Sequence, residues 1–384
     1  MFEGINRNVI LLGVVSLLND VGSEMITPIL PLFIVSLGGG ALVVGLIGGL
    51  GDLIATGLKM PSGWWSDRIG KRKPFLLAGY SSSAIAKLVL SMATTWQHVA
   101  VLRPIERAGK GIRDAPRDAL VADSVRKSVR GVAFGLQHGM DKTGAIIGSV
   151  LAVVVVSAIG TQYQTIILLS AGISLLALLP LIFVKDVRKK PVRSSLSIGL
   201  RKLPGRLRLY IIAAVMFGMG NFTYMLFILR SQSVTGSTLT AVGLYLLYNV
   251  VMAIGLVPAG RLADRFGRRN LVLIGWLLFA AVALGFSVGD SLDMLIVLFA
   301  LYGLAYAMFE GNQRALVVDL APPQLKGTAL GTFYTATGIS MFGGGIIAGI
   351  LWQTIGPSTA FLFGAAAALG GIILMILTVP NNKP

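Results

Sequence analysis

The chain has 384 residues, 55% of them hydrophobic and only 13% charged, and it contains no cysteine. That composition is too apolar for a water-soluble domain of this length, and it excludes disulfides and thiolate metal sites. A net charge of +17 suits a nucleic-acid binder at first sight, but the positions of the charges assign it to membrane topology and leave no nucleic-acid partner.

A bilayer core of about 30 Å takes about 20 apolar residues in helix. Twelve runs of that kind predict an all-α membrane protein: 9–36, 42–65, 74–94, 98–123, 131–159, 163–184, 209–230, 239–262, 271–288, 292–320, 328–355 and 359–379. The first is too long for a signal peptide and lacks a small-residue cleavage site, so it reads as a retained helix. Connections on one side carry Arg68, Lys71, Arg72 and Lys73, then Arg126, Lys127 and Arg130, then Arg265, Arg268 and Arg269. The central connection carries Lys185, Arg188, Lys189, Lys190, Arg193, Arg201, Lys202, Arg206 and Arg208. The opposite connections, near 37–41, 95–97, 160–162, 231–238, 289–291 and 356–358, hold no lysine or arginine. This asymmetry puts both termini in the cytoplasm.

Ionisable groups inside a bilayer are costly and face an interior or a water-filled path, so each is a functional candidate. The first span holds Asp20, about 18 Å along its helix by the 1.5 Å rise per residue, with Glu24 one turn further on the same face. Asp52 in the second span, Lys87 in the third, and Asp141 with Lys142 in the fifth also fall near mid-bilayer. The fourth span is densest: Arg103, Glu106, Arg107, Lys110, Arg113, Asp114 and Arg117 recur at spacings of three and four and share one broad face. In the fifth span Gly131, Gly135, Gly139, Gly144 and Gly148 read as a helix-packing stripe. The later spans offer a different surface: Asn221, Phe222, Tyr224 and Phe227, then Tyr245, Tyr248 and Asn249, then Tyr302, Tyr306 and Phe309, an aromatic and weakly polar wall suited to an amphiphilic ligand. His98 and His138 are too few and too far apart for a metal site. Gly109-Lys110-Gly111 lacks the spacing of a nucleotide loop, which sets ATP hydrolysis aside; neither an enzyme nor a cofactor is expected.

The chain repeats itself. Gly63-Trp64-Trp65-Ser66-Asp67-Arg68-Ile69-Gly70 matches Gly260-Arg261-Leu262-Ala263-Asp264-Arg265-Phe266-Gly267 at an offset of 197, and Ala119–Asp123 matches Ala315–Asp319 at 196. Two six-helix bundles are expected, at 1–184 and 209–384, joined by a basic linker over 185–208; parallel six-helix repeats are one architecture of secondary transporters. At this offset Asp114 and Asp123 correspond to Glu310 and Asp319, whereas Arg103, Glu106, Arg107 and Lys110 correspond to Phe299, Tyr302, Gly303 and Tyr306. Charge that the shared scaffold does not require is the best candidate for ligand or proton chemistry.

With its glycine, aspartate-arginine, glycine and basic run at two helix ends, the sequence resembles the major facilitator superfamily over essentially its whole length. The resemblance implies two pseudo-symmetric bundles that alternate access, with Gly63, Asp67, Arg68 and Gly70, and Gly260, Asp264, Arg265 and Gly267, as parts of a cytoplasmic latch. Asp67 would face a helix start near Gly327 and Asp264 one near Gly131, an arrangement worth about 0.3–1 kcal/mol for each carboxylate. Arg68 and Arg265 would pair with Asp114 or Asp123 and with Glu310 or Asp319. Arg103 takes the place of the family's arginine element, though Arg107 stands where that pattern has glycine; Gly144 and Gly148 have the spacing of its antiporter element, with Ser149 in place of proline. Asn19–Met25 and Glu106–Arg113 look similar to prokaryotic efflux-like permeases. These features lead us to expect a monomer in the prokaryotic inner membrane that moves a small organic solute, with protons as the coupling partner and export of drug-like compounds favoured. Uptake or exchange of an organic anion at Arg103, Arg107, Lys110 and Lys87 is the alternative within transport. A non-transporting receptor or lipid-handling protein is the alternative of another class.

Overall fold

The computed structural model describes residues 6–126, 129–187, 199–200 and 203–379. Lys127, Arg188, Lys189, Lys190, Arg193, Arg201 and Lys202 from the topology reading lie outside the described residues. In chain order the helices are α1 (Arg7–Ile26), α2 (Leu30–Ser36), α3 (Ala41–Ile69), α4 (Lys73–Leu90), α5 (Trp96–Asp123), α6 (Arg130–Ile159), α7 (Tyr163–Leu176) and α8 (Leu178–Ile182). They continue with α9 (Gly205–Gly220), α10 (Tyr224–Thr235), α11 (Thr238–Phe266), α12 (Arg268–Val288), α13 (Leu292–Leu320), α14 (Lys326–Thr354) and α15 (Pro357–Thr378). With α1/α2, α7/α8 and α9/α10 each counted as one crossing, these make the twelve spans of an all-α membrane protein.

Ten of the crossings are long and apolar enough on length and composition alone, among the described residues. The two that fall short are α4, which carries Lys73, Lys87 and the serines Ser81, Ser82 and Ser83, and α5, which carries the charged face. Only burial against other helices makes these two compatible with lipid. Two of the broken crossings follow from proline: Pro28 lies between α1 and α2, and Pro180 in α8 just past the turn that ends α7. The third, at Asn221–Thr223, interrupts a run that reads as continuous in the sequence; Thr223 Oγ1 accepts from the Met225 N–H and restarts the chain as α10. The repeated motif has a backbone role in both copies. Gly70 (φ 70°) follows the end of α3 and Gly267 (φ 87°) caps α11, in the region glycine enters without a Cβ penalty.

The chain divides into two compact units, one of residues 1–38 and 54–196, the other of 39–53 and 197–384. In the first, α1 lies along α6 and α7, and α4 along α5 and α7. A Cβ on Gly144 or Gly148 of α6 would stand 2.6 or 2.4 Å from the carbonyl oxygens of Leu17 or Val21 on α1. Gly131, Gly135 and Gly139 have no such neighbour within 4 Å, so the packing expected along the whole stripe is confined to its second half among the described residues. In the second unit, α9 packs on α14 and α15, and α12 on α13 and α15, around stacked rings such as Phe217 and Trp276, whose centroids are 4.4 Å apart.

Candidate functional site

The charged face of α5 turns inward onto α1, α4 and α6. Arg103 and Glu106, both buried, form an ion pair with Nη1 2.7 Å from Oε2, and Ser83 Oγ of α4 donates to the other Glu106 oxygen at 3.3 Å. Lys87 is wholly buried; its Nζ donates to Ser23 Oγ of α1 and Ser174 Oγ of α7, each at 2.8 Å. Two turns nearer the end of α5, Lys59 of α3 bridges Asp114 at 3.0 Å. Arg117 donates to Asp118 at 3.0–3.1 Å and to Ser16 Oγ of α1 at 2.9 Å, and its Nη1 lies 3.4 Å from Asp141 of α6. Asp141 also accepts from Gln137 Nε2 at 3.1 Å and has His138 beside it at 3.9 Å. Arg107 is half-buried one turn along from Arg103. Lys142, half-buried beside Asp141, has no hydrogen bond or ion pair among the described residues.

Asp20 differs from its neighbours. It accepts one hydrogen bond, from Asn19 Nδ2 at 3.3 Å, and no cation stands within ion-pair distance among the described residues. Asp141, Lys110, Arg113 and Arg117 lie within electrostatic reach of it. Glu24 follows one turn along α1, close against Gly148 of α6. Asp52 belongs to the second unit, within electrostatic reach of Tyr306.

At the ends of α3 and α5, Arg72 is the centre of the charge pattern. Its guanidinium donates to Asp67 and to Ser66 Oγ at 2.6 Å and lies 3.9 Å from Asp123, while its backbone N–H donates to Asp186 at 3.1 Å. In the second unit Arg268 bridges Asp319 at 2.6 Å and Arg314 bridges Glu310 at 2.6 Å, while Asp264 is exposed. Arg68 and Arg265, expected to hold these carboxylates, instead lie over the rings of Trp64 and Phe266 at 5.3 and 5.4 Å. The reason is reach: Arg72, Lys59, Arg268 and Arg314 start from positions already beside the acids, and a bulky ring next to each motif arginine gives it a cation–π seat.

The aromatic wall of the second unit is a continuous cluster of rings, stacked, tilted and edge-on. Tyr302 lies 4.6 Å from Phe227, 4.8 Å from Tyr248 and 5.0 Å from Tyr306 between centroids, and Tyr224 and Tyr245 extend it. Tyr306 donates its hydroxyl to Asn221 Oδ1 at 2.7 Å, which ties the wall to the break between α9 and α10.

The site reading overlooked Ser16, Ser23, Tyr80, Ser83, Gln137 and Ser174, which seat the charged groups, and left Arg113 and Arg117 out of the binding set. Only their positions on the inward face of their helices signalled them, and serine and glutamine in apolar runs are too common to stand out.

The model for the Major Facilitator Superfamily matches residues 12–257 and 210–384. An uncharacterised MFS-type transporter of Methanocaldococcus jannaschii is 41% identical over 382 residues, 97% of this chain and 95% of its own. A multidrug resistance protein of Aeromonas hydrophila is 26% identical over 85% of this chain and 83% of its own. Among solved structures, a mutant of the nucleoside transporter NupG superposes with a TM-score of 0.83 at 16% identity, covering 98% of this chain and all of that one. The human organic anion transporter MFSD10 gives 0.69 at 19% identity over 96% and 99%. At those identities the two structures show the fold alone. The family match over both halves of the chain, the archaeal relative and the fold agree: the chain is a multi-pass membrane transporter that belongs to the major facilitator superfamily.

Proposed function

We propose that this transporter couples the passage of small amphiphilic organic solutes to protons, with export the favoured direction and both termini in the cytoplasm. The observation that carries the reading is the meeting of Asp20, Asp141 and Arg117 among the packed helices α1, α5 and α6 of the first unit. A proton on Asp141 removes the charge that holds Arg117 and leaves the guanidinium to Asp118 and Ser16. Occupancy by a proton and the packing of α1, α5 and α6 are thereby interdependent. The multidrug resistance relative supports export, and the tyrosine wall of the second unit supports an amphiphilic solute. The carboxylates at the ends of α3, α5, α11 and α13 serve in this reading as the cytoplasmic latch, with Arg72 and Arg268 as its working cations.

The test is flux in proteoliposomes. Efflux of cationic, neutral and anionic amphiphilic dyes is followed with and without an imposed pH gradient. Flux of at least one dye should respond to the gradient in the wild type and lose that response in Asp141→Asn and Asp20→Asn. Flux indifferent both to the gradient and to these changes rejects proton coupling.

A further inference from the structure

Among the described cations on the inward face of α5, two stand apart from the ion pairs of the first unit. Arg103 has Glu106, Arg117 has Asp118 and Asp141, Lys59 has Asp114, and Lys87 has two serine hydroxyls. Arg113 is only 2% exposed, yet its Nε and Nη1 have no hydrogen-bond partner. Lys110, three residues away on the same face of α5, has no hydrogen bond or ion pair among the described residues.

The surroundings hold this pair in place without satisfying it. The Arg113 guanidinium lies over the Tyr80 ring, 4.4 Å from its centroid, so one face is covered and the N–H edge is left to receive an acceptor. Tyr80 is fixed in turn by Ser16 of α1, 3.1 Å from its hydroxyl. Gly79 and Gly109 bring α4 and α5 so close that a Cβ on either would stand 2.6 or 2.5 Å from the other's carbonyl oxygen, which fixes the height of Arg113 on α5. Asp20 lies one turn beyond Ser16 on the same face of α1, within electrostatic reach of both cations. A buried donor with no acceptor is costly, and a planar fork of donors is matched best by a carboxylate.

We propose that Lys110 and Arg113 form the subsite for the carboxylate of an amphiphilic organic acid, and that the charge on nearby Asp20 opposes its entry. The proposal rests on the proton-coupled transport reading above and names its substrate class; for such an acid it sets solute and proton to move in the same direction, in place of the export favoured above. It moves the anion site away from Arg103 and Lys87, which already have hydrogen-bond partners in place. The titratable groups within electrostatic reach of Asp20 are Lys110, Arg113 and Arg117 from α5, Asp141 from α6, and Lys87 and Tyr80 from α4, while α7 and α8 present no acidic or basic side chain. With Asp20 ionised, the incoming carboxylate meets a competitor; with Asp20 protonated, the cation pair is open. Anion and proton therefore bind together.

The experiment is thermal unfolding of the purified full-length protein with benzoate, or with uncharged benzamide at equal concentration, at about pH 6 and about pH 8. Benzoate should raise the melting temperature of the wild type, more at the lower pH, and benzamide should not. Lys110→Gln and Arg113→Gln should weaken benzoate binding about ten- to a hundredfold, the loss of one charge-assisted contact. Lys110 has no direct hydrogen bond or ion pair to lose among the described residues, only the longer-range attraction of Asp20 and Asp114, so its variant keeps the test valid should Arg113→Gln fail to fold. Asp20→Asn should bind benzoate equally at both pH values. No stabilisation by benzoate, equal stabilisation by benzamide, or wild-type affinity in Lys110→Gln overturns the proposal. Benzoate binding that needs Lys110, without flux of any solute in liposomes, upholds the subsite and removes the transport reading beneath it; gradient-driven flux of neutral dyes with no benzoate binding does the reverse.

Discussion

Ser16 on α1 and Tyr80 on α4 share a hydrogen bond of 3.1 Å between their hydroxyls, and the same Ser16 oxygen receives Arg117 from α5 at 2.9 Å. Three helices are pinned at one oxygen, with the Tyr80 ring also carrying Arg113. Tyr80→Phe removes one hydrogen bond and keeps the ring, at a cost of about 1 kcal/mol. Tyr80→Leu also removes the cation–π contact, worth about 0.5–2 kcal/mol more. Thermal unfolding in detergent should rank the two in that order; equal melting temperatures would show that the ring does nothing for Arg113.

Lys87 should tolerate an apolar replacement of its own length better than truncation. Lys87→Met fills the space and leaves Glu106 its partner Arg103, whereas Lys87→Ala opens a cavity beside Ser23 and Ser174. The truncation is expected to cost about 2–5 kcal/mol and the methionine variant distinctly less. Unfolding curves of the two proteins decide the matter.

Arg117 and Asp141 should be energetically coupled. A double-mutant cycle with Arg117→Gln and Asp141→Asn is expected to give an interaction of about 0.5–3 kcal/mol, because the two charges approach each other in a shared hydrogen-bonded network. Strictly additive losses would mean that the 3.4 Å approach carries no energy.

Gly144 and Gly139 lie on one helix and should respond oppositely to the same substitution. Gly144→Val drives a side chain into the Leu17 backbone of α1 and should prevent stable folding, while Gly139→Val meets open space and should express as the wild type does. Yield and monodispersity after solubilisation measure both.

The spans, the duplication and the charged face of α5 were legible because each is a periodic property of one stretch of chain. Lys87 and Arg103 stood out because charge in an apolar run is rare. Their partners were not legible. Ser174 is 87 positions from Lys87, and serine in a membrane helix carries no distinctive signal. The motif arginines Arg68 and Arg265 misled for a related reason: a motif gives a residue type and a place, and the pairing depends on which cation is nearer, here Arg72 and Arg268. The break at Asn221 escaped because Asn-Phe-Thr is only weakly polar and the glycine before it, Gly220, looks like the many other glycines that sit inside these helices.

The charge on α5 has a consequence for how the protein is made. At a helix centre each Arg, Lys or Asp opposes entry into the bilayer by about 2.5–3.5 kcal/mol, and α5 brings Arg103, Arg107, Lys110, Arg113 and Asp114 in sequence. Such a segment cannot leave the insertion machinery for lipid on its own. It must be received by α1 and α4, already synthesised and carrying Ser16, Tyr80 and Ser83 as first hosts, with Asp141 arriving only when α6 follows. Birth order along the chain thus serves as a chaperone for its least oily helix.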